Sequence, residues 1–509
     1  MIDTSAQNTL KNSLYNFIGF LVPIIILIFI TPIIISHWGV KEYGVYIFLN
    51  TVVVFLGLLD LGVSIATSKH LIEYRSKGDE NRVKNMLYSM NTIYLGMAFV
   101  YFIACITIGI IIQIFFINRV GPENNYLLIF FILGITVFIN AMFANFSNIL
   151  FTLQRNDLQV KIGLLSIVLS NIFMLILVVL GYNLIVVLIS QFFITLIINA
   201  IHYFIAKSIF PIMQLKYLWV KEEIVKNYKF GLSIAFNNLA SSSLVHFDKL
   251  LIPVFLGNAQ LTYYGVPGSI ATKISSISAT FSSLLFPITV NLQALNNTEK
   301  IKRVYIRSAR LITILSSAIA LSIIFTADKI LLYWLDESFV KQSVNVLILL
   351  VLTNFVLALY SPLTNLLTAM NKMKFLTTCS IIMAIINTAA LFILLPRYGI
   401  TGAALSYLIS VLFIFWMFYY SGKKYFQISE KIYTKLLLKI FITLLPFYLL
   451  VKFLLYPLIT SMFTLVIIGP SCVFLFILLY KILGFVENED WEDFKLSSRK
   501  IIHKLNFKK

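Results

Sequence analysis

Within the apolar stretch SSSLVHFDKLLIPVFLG (Ser241–Gly257), three titratable side chains fall within four positions: His246, Asp248 and Lys249. A charge at the depth of a bilayer costs about 3 kcal/mol or more, so such groups usually mark a functional site. On a helix, Asn238, Ser241, Ser242, Val245, Asp248, Lys249 and Ile252 fall on one face, a polar stripe with two apolar interruptions. His246 lies at its edge. The next apolar segment carries a second stripe of Ser269, Lys273, Ser276, Thr280 and Ser283. An ammonium group binds phosphate as a mobile point charge, and the attraction is far larger in a low-dielectric site than in water. Lys249 and Lys273 are therefore candidates for holding an anion such as phosphate, with Asn238 and Ser276 as neutral partners on the same stripes. The competing reading is structural. Asp248 pairs with Lys249 or Lys273 to lock two helices, and Lys249 snorkels from near the end of its segment.

A third charge lies in GLLDLG, where Asp60 shares a helical face with Gly57, Ser64 and Thr67. A partly buried carboxylate can carry a proton or meet a cation. Asp60, Asp248 and His246 are the candidates for ion coupling. The alternatives are helix–helix hydrogen bonding for Asp60 and His246, or contact of Asp60 with Arg307 and Arg310. The other histidines (His37, His70, His202, His503) and the three cysteines (Cys105, Cys379, Cys472) show no metal-ligand spacing. No metal and no cofactor is expected.

The elements that position these residues follow from composition. The chain is 509 residues long, 60% hydrophobic and only 12% charged, with a mean hydropathy of +0.92. Soluble domains are about a quarter charged, so this is an all-α integral membrane protein. At roughly 20 residues per crossing, fourteen spans are expected, including spans one (14–36), two (44–68), seven (230–256) and eight (264–290). The first span has no cleavage pattern after it and reads as retained. Of the 40 Lys and Arg, 32 fall on one set of loops and tails, which places both termini in the cytoplasm. The same count explains the net charge of +19 without nucleic acid. Loops on the opposite side reach only about 15 residues, too short for an extramembrane catalytic domain, and no nucleophile elbow or phosphate loop is present. The chain does not read as an enzyme.

The segments repeat. HWGVKEYGVY (His37–Tyr46) between spans one and two matches FLGNAQLTYYGVP (Phe255–Pro267) between spans seven and eight, with the first glycines 218 residues apart. NILFTLQRNDLQ (Asn148–Gln159) matches NLLTAMNKMKFL (Asn365–Leu376) at 217, and LGYN meets RYGI after spans five and eleven. Two copies of six spans share one orientation, so their pseudo-two-fold axis runs along the membrane normal. This divides the chain into a first lobe with its linker (1–229), a second lobe (230–430), two further spans (431–484) and a cytoplasmic amphipathic tail (485–509). The linker Lys207–Lys229 reads as an interfacial helix on the inner leaflet.

The opening NFIGFLVPIIILIFITPIIISHWGVKEYGVYIFLNTVVVFLGLLDLG, the segment DKLLIPVFLGNAQLTYYG and the later LPRYGITGAALSYLIS resemble polysaccharide biosynthesis membrane proteins of the multidrug/oligosaccharidyl-lipid/polysaccharide flippase superfamily. The resemblance covers nearly the whole chain. It implies two six-helix lobes around a central cavity that opens alternately to each side of a bacterial cytoplasmic membrane. The implied cargo is an undecaprenyl-diphosphate-linked oligosaccharide of O-antigen or capsule type. A proton or sodium counter-ion, a polysaccharide polymerase and chain-length proteins are the further implied partners. The rival classes are a cation-coupled exporter of small drugs, which predicts an acidic cavity and twelve spans, and a non-transporting assembly factor, which has no need of buried charge.

Overall fold

The structure is a computed structural model that describes residues 6–60, 62–117, 125–153, 155–283, 285–295, 297–426 and 431–485. The C-terminal tail lies outside the described residues. The helices are α1 (Ala6–Gly57), α2 (Val63–Ser76), α3 (Glu80–Ile111), α4 (Tyr126–Thr152), α5 (Asn156–Val179), α6 (Leu184–Ile209), α7 (Lys221–Leu256) and α8 (Asn258–Ser283). They continue with α9 (Leu285–Ala294), α10 (Thr298–Phe325), α11 (Ala327–Trp334), α12 (Glu337–Ala369), α13 (Met373–Val411), α14 (Phe413–Ser421), α15 (Lys431–Leu450) and α16 (Met462–Ile482). Twelve helical runs among the described residues are long and apolar enough to cross a membrane. Two of them, Leu21–Gly57 and Met373–Tyr425, are interrupted, at Gly39 and Gly399. This is close to the fourteen spans expected, a count that divides each interrupted run in two. The chain divides into two compact units, Met1–Thr262 and Tyr263–Lys509.

In the first unit the repeated turns carry the same backbone conformation. Gly39 has φ 74° and ψ 168°, and Gly257, 218 positions later, has φ 86° and ψ 166°. Only glycine enters that region without strain. The two turns also touch each other. Thr262 Oγ1 donates to the Val40 carbonyl at 2.5 Å. Gly44 lies so close to the Asn258 carbonyl that a Cβ would overlap it. A shift of 218 carries Val40 onto Asn258 and Gly44 onto Thr262, so the two contacts are images of one another.

The second sequence match is also written in the backbone. After α4, Leu153 N donates to Ile149 O at 2.9 Å and Arg155 N to Leu150 O at 2.9 Å. After α12, Met370 N donates to Leu366 O at 2.9 Å and Lys372 N to Leu367 O at 2.8 Å. Every atom in the second set lies 217 residues after its counterpart. Gly181 and Gly399, 218 apart, both take positive φ.

Span two departs from the expected unbroken helix over 44–68. It stops at Gly57, makes a 3₁₀ turn over Leu58–Asp60, and restarts as α2 after Gly62, whose φ is 71°. Two glycines bracket the break, and a carboxylate serves the new helix start. Ser64 donates to Asp60 Oδ2 from its backbone N at 3.3 Å and from its hydroxyl at 2.7 Å. A Cβ on Gly62 would stand 2.5 Å from the Gly231 carbonyl, so α7 crosses span two at the break backbone to backbone.

The linker also departs from expectation. Residues 210–220 form no helix, and α7 begins only at Lys221. Pro211 lacks the N–H a helix needs, and side chains of α3 take the strap's polar groups instead. Asn91 Nδ2 donates to the carbonyls of Gln214 (3.0 Å) and Lys216 (2.9 Å). Thr92 Oγ1 donates to Leu218 O at 2.9 Å. Phe210 and Met213 are buried in the core around Met86, Met90 and Phe146.

A charged clamp then fixes the start of α7 on α2. The Tyr74 hydroxyl donates to the buried Glu223 carboxylate, with its two oxygens at 2.9 and 3.1 Å. Lys226 Nζ donates to the Tyr74 hydroxyl at 3.1 Å and lies 3.9 Å from Glu73. Glu73 also pairs with Lys77 at 2.9 Å. In the second unit, spans thirteen and fourteen (α15 and α16) pack Phe447, Cys472 and Phe476 around Ala318 of α10.

Two predictions follow from these contacts. Gly44→Ala should cost about 1–3 kcal/mol through overpacking, read as a fall in thermal midpoint, whereas Gly57→Ala, with nothing within 4 Å of its Cβ position, should cost nothing. Equal midpoints for wild type and Gly44→Ala would contradict the turn-to-turn contact. The second concerns acid. The Lys77 ammonium, then His70 and Lys226, hold the Glu73 carboxyl down to about 2 from 4.5. A depressed acid stabilises the fold above its unfolded value and loses that contribution as pH falls toward the folded one. The midpoint difference between wild type and Glu73→Gln should therefore be flat near neutral pH and close as pH drops from 4.5 toward about 2.

Candidate functional site

α7 carries its charged group past the clamp and the crossing at Gly62. Asp248 is buried at 2% exposure, while His246 and Lys249 are half-buried and Asn238 is exposed. The Asp248 carboxylate accepts the Lys249 backbone N–H at 2.8 Å. Pro253, four residues on, has no N–H to offer the Lys249 carbonyl. Lys249 thus presents a cationic side chain beside a carbonyl released from the helix ladder.

Asp60 stands in the break of span two, half-buried. Besides accepting from Ser64 at the start of α2, it is an electrostatic neighbour of the Tyr94 hydroxyl of α3. Asn148 Nδ2 of α4 donates to that same hydroxyl at 2.9 Å. One turn on, Ser68 and Thr152 share a hydrogen bond of 2.7 Å. The carboxylate therefore sits at the head of a polar chain running across spans two, three and four. Tyr94 and Asn148 were not singled out in the sequence. Asn148 does open the NILFTLQRND match, which is the signal that pointed to it.

In the second unit, α8 has two polar faces with different duties. One is fastened to α12. Ser275 Oγ donates to Asn354 Oδ1 at 2.8 Å, and Ser282 and Ser361 share a bond of 2.7 Å. Both pairs are 79 residues apart, so the two helices run parallel in a fixed register. Ser343 Oγ donates to Tyr263 O at 2.7 Å, filling the acceptor that Pro267 leaves open. Asn354, Ser361 and Ser343 lie in runs too apolar to suggest a role for them in the sequence. The other face carries Ser269, Lys273, Ser276, Thr280 and Ser283, all exposed or half-buried. Their hydroxyls are spent on their own helix, as with Ser276 Oγ on Thr272 O at 2.8 Å and Thr280 Oγ1 on Ser276 O at 2.9 Å. The residues behind them (Ala271, Ile274, Ser278, Ser282) are buried. Lys273 has no hydrogen-bond or ion-pair partner among the described residues. It is a cation on a hydroxyl-lined face, held in place from behind.

Of the expected candidates, the structure places Asn238, His246, Asp248 and Lys249 together on α7, and Lys273 and Ser276 together on α8. Asp60 belongs to a separate polar chain within the first unit. No group of three His, Cys, Asp or Glu side chains among the described residues is arranged to hold a metal.

Comparison with known proteins gives a consistent setting. A Shigella flexneri protein named for O-antigen transport is 22% identical over 420 residues, covering 80% of this chain and 96% of its own length. An uncharacterised membrane protein of Methanocaldococcus jannaschii is 23% identical over 390 residues, 74% of this chain and 75% of its own. Among solved structures, the lipid II flippase MurJ in an inward closed conformation superposes with a TM-score of 0.70 at 16% identity, covering 93% of this chain and 99% of MurJ. An inward-facing multidrug resistance MATE family transporter superposes at 0.57 with 14% identity, over 79% of this chain and 92% of its own. The model of the polysaccharide biosynthesis protein family matches residues 39–343. The chain therefore belongs to the polysaccharide biosynthesis protein family, built on the fold that MurJ and MATE transporters share.

Proposed function

We propose that the protein is a flippase for an undecaprenyl-diphosphate-linked oligosaccharide, an O-antigen or capsule repeat unit, moved from the inner to the outer leaflet of a bacterial cytoplasmic membrane by alternating access. Both termini face the cytoplasm, and a polysaccharide polymerase with its chain-length partners takes up the product. The observation that carries this reading is Lys273, a cation on the open face of α8 whose opposite face is fastened to α12. A group whose job was structural would be matched by an acid, as Lys226 is by Glu73. Lys273 instead offers its charge to something the described residues do not supply. A diphosphate fits that demand, and a cationic drug would be repelled by it. Lys249 supplies a second positive charge, with Asn238 and Ser276 as neutral contacts to phosphate or sugar hydroxyls.

Coupling to a proton or sodium gradient falls to Asp60, Asp248 and His246. Asp60 is the foremost of these. It sits at a helix break, where unwound backbone and a carboxylate together form the kind of site transporters use for cations.

Replacing Lys273 or Lys249 by Ala should each lower surface polysaccharide roughly tenfold or more, the loss of one charge-assisted contact, while protein level and thermal midpoint hold. Lys273→Arg should retain part of the activity. Normal surface polysaccharide in both Ala variants would refute the binding role. For coupling, Asp60→Asn and Asp248→Asn should flatten the dependence of transport on an imposed proton or sodium gradient in vesicles. Unchanged gradient dependence in both variants would remove these carboxylates from the mechanism.

A further inference from the structure

The second unit contains a groove that the cargo reading leaves unused. It has a volume of about 200 Å³ and lies between α10, α12, α14 and the start of α15, lined by Ala309, Thr313, Leu359, Phe415, Tyr419 and Leu437 among others. The lining is mostly apolar, and the Thr313 hydroxyl is already spent on Ala309 O at 2.6 Å. Its lining residues lie toward those ends of their spans that the Lys and Arg count places on the cytoplasmic side. α8, which bears Lys273, contributes nothing to it.

Lysines adjoin this lining along the chain. Lys423 follows the lining residue Gly422, and Lys435 stands between the lining residues Thr434 and Leu436. Both lysines are exposed, and neither has a partner among the described residues. The neighbouring Lys424 shows what a committed lysine looks like. It donates to the Tyr420 hydroxyl at 2.7 Å and lies over the rings of Tyr420 (5.0 Å) and Tyr425 (5.7 Å). On the adjoining face of α14, Trp416 is stacked between Phe413 (5.0 Å) and Tyr420 (5.3 Å) and remains 46% exposed. Tryptophan and tyrosine collect at the depth of lipid head groups, so this end of the groove opens where phosphates lie.

We propose that the groove holds an acyl chain of an anionic phospholipid of the inner leaflet, whose phosphate is met by Lys423 and Lys435. An apolar slot selects for a chain, and two uncommitted ammonium groups at its mouth select for negative charge. A bilayer supplies both in one molecule. The site is a lipid-recognition site separate from the transported cargo.

Trp416 is a built-in reporter. The full-length protein is placed in nanodiscs of phosphatidylcholine doped with brominated phosphatidylglycerol or brominated phosphatidylcholine, and the Trp416 signal is taken as the difference from Trp416→Phe. Brominated phosphatidylglycerol should quench it at a roughly tenfold lower mole fraction, the preference two interfacial lysines confer. Lys423→Ala with Lys435→Ala should bring the two lipids level, and Lys423→Arg with Lys435→Arg should keep the preference. Native mass spectrometry of the double Ala variant, still folded, should show loss of retained phosphatidylglycerol. Equal quenching by both lipids in the wild type, or an undiminished preference in the double Ala variant, overturns the proposal. So does displacement of phosphatidylglycerol by undecaprenyl phosphate at lower mole fraction, which would assign the groove to the cargo.

Discussion

A helix inside a bilayer can be broken only where its freed backbone groups find partners within the protein. The meeting of two glycine-opened turns shows how this chain answers that demand. At Gly44 the side chain shrinks to glycine so that its backbone can meet the Asn258 carbonyl, and the Thr262 hydroxyl fills the carbonyl of Val40. The same answer recurs at three further interruptions. Asp60 serves the restart at α2, Ser343 serves the carbonyl opposite Pro267, and Ser361 Oγ serves Ala358 O at 2.9 Å beside Pro362. Each interruption brings a polar side chain to membrane depth, so the breaks that let spans bend also furnish its polar sites.

The two halves of the sequence repeat in backbone but not in charge. The equivalent turns share one backbone region at Gly39 (φ 74°, ψ 168°) and Gly257 (φ 86°, ψ 166°), yet their charged groups are deployed differently. In the first unit Asp60 is drawn into a hydrogen-bonded chain that also stabilises a helix start, so its position is over-determined. On α8 Lys273 sits on a helix packed from behind, and its ammonium has no hydrogen-bond or ion-pair partner among the described residues.

The sequence was most informative where a residue type is obligatory. Glycines that need positive φ leave a mark no other residue can leave, which is why the 217 and 218 offsets were visible and why the backbone reproduces them. Helix existence was equally legible from apolar runs of crossing length. The break in span two was missed because GLLDLGVS is nearly as apolar as its flanks, although Gly57 and Gly62 on either side of Asp60 were the available signal. The linker was misread for a different reason. Its amphipathic pattern is compatible with an interfacial helix, and only tertiary contacts from Asn91 and Thr92 hold it as a strap. The polar rail between α8 and α12 was illegible in principle, because it depends on which helix lies beside which.

The claim on which the rest stands is that this fold carries a lipid diphosphate across the bilayer. The direct measurement is leaflet exchange of a fluorescent undecaprenyl-diphosphate oligosaccharide in proteoliposomes that contain only this protein. The account predicts transfer well above that of protein-free vesicles, together with no acceleration for an uncharged analogue lacking the diphosphate. Transfer no faster than in empty vesicles by a correctly folded protein, or equal acceleration of the uncharged analogue, would contradict it.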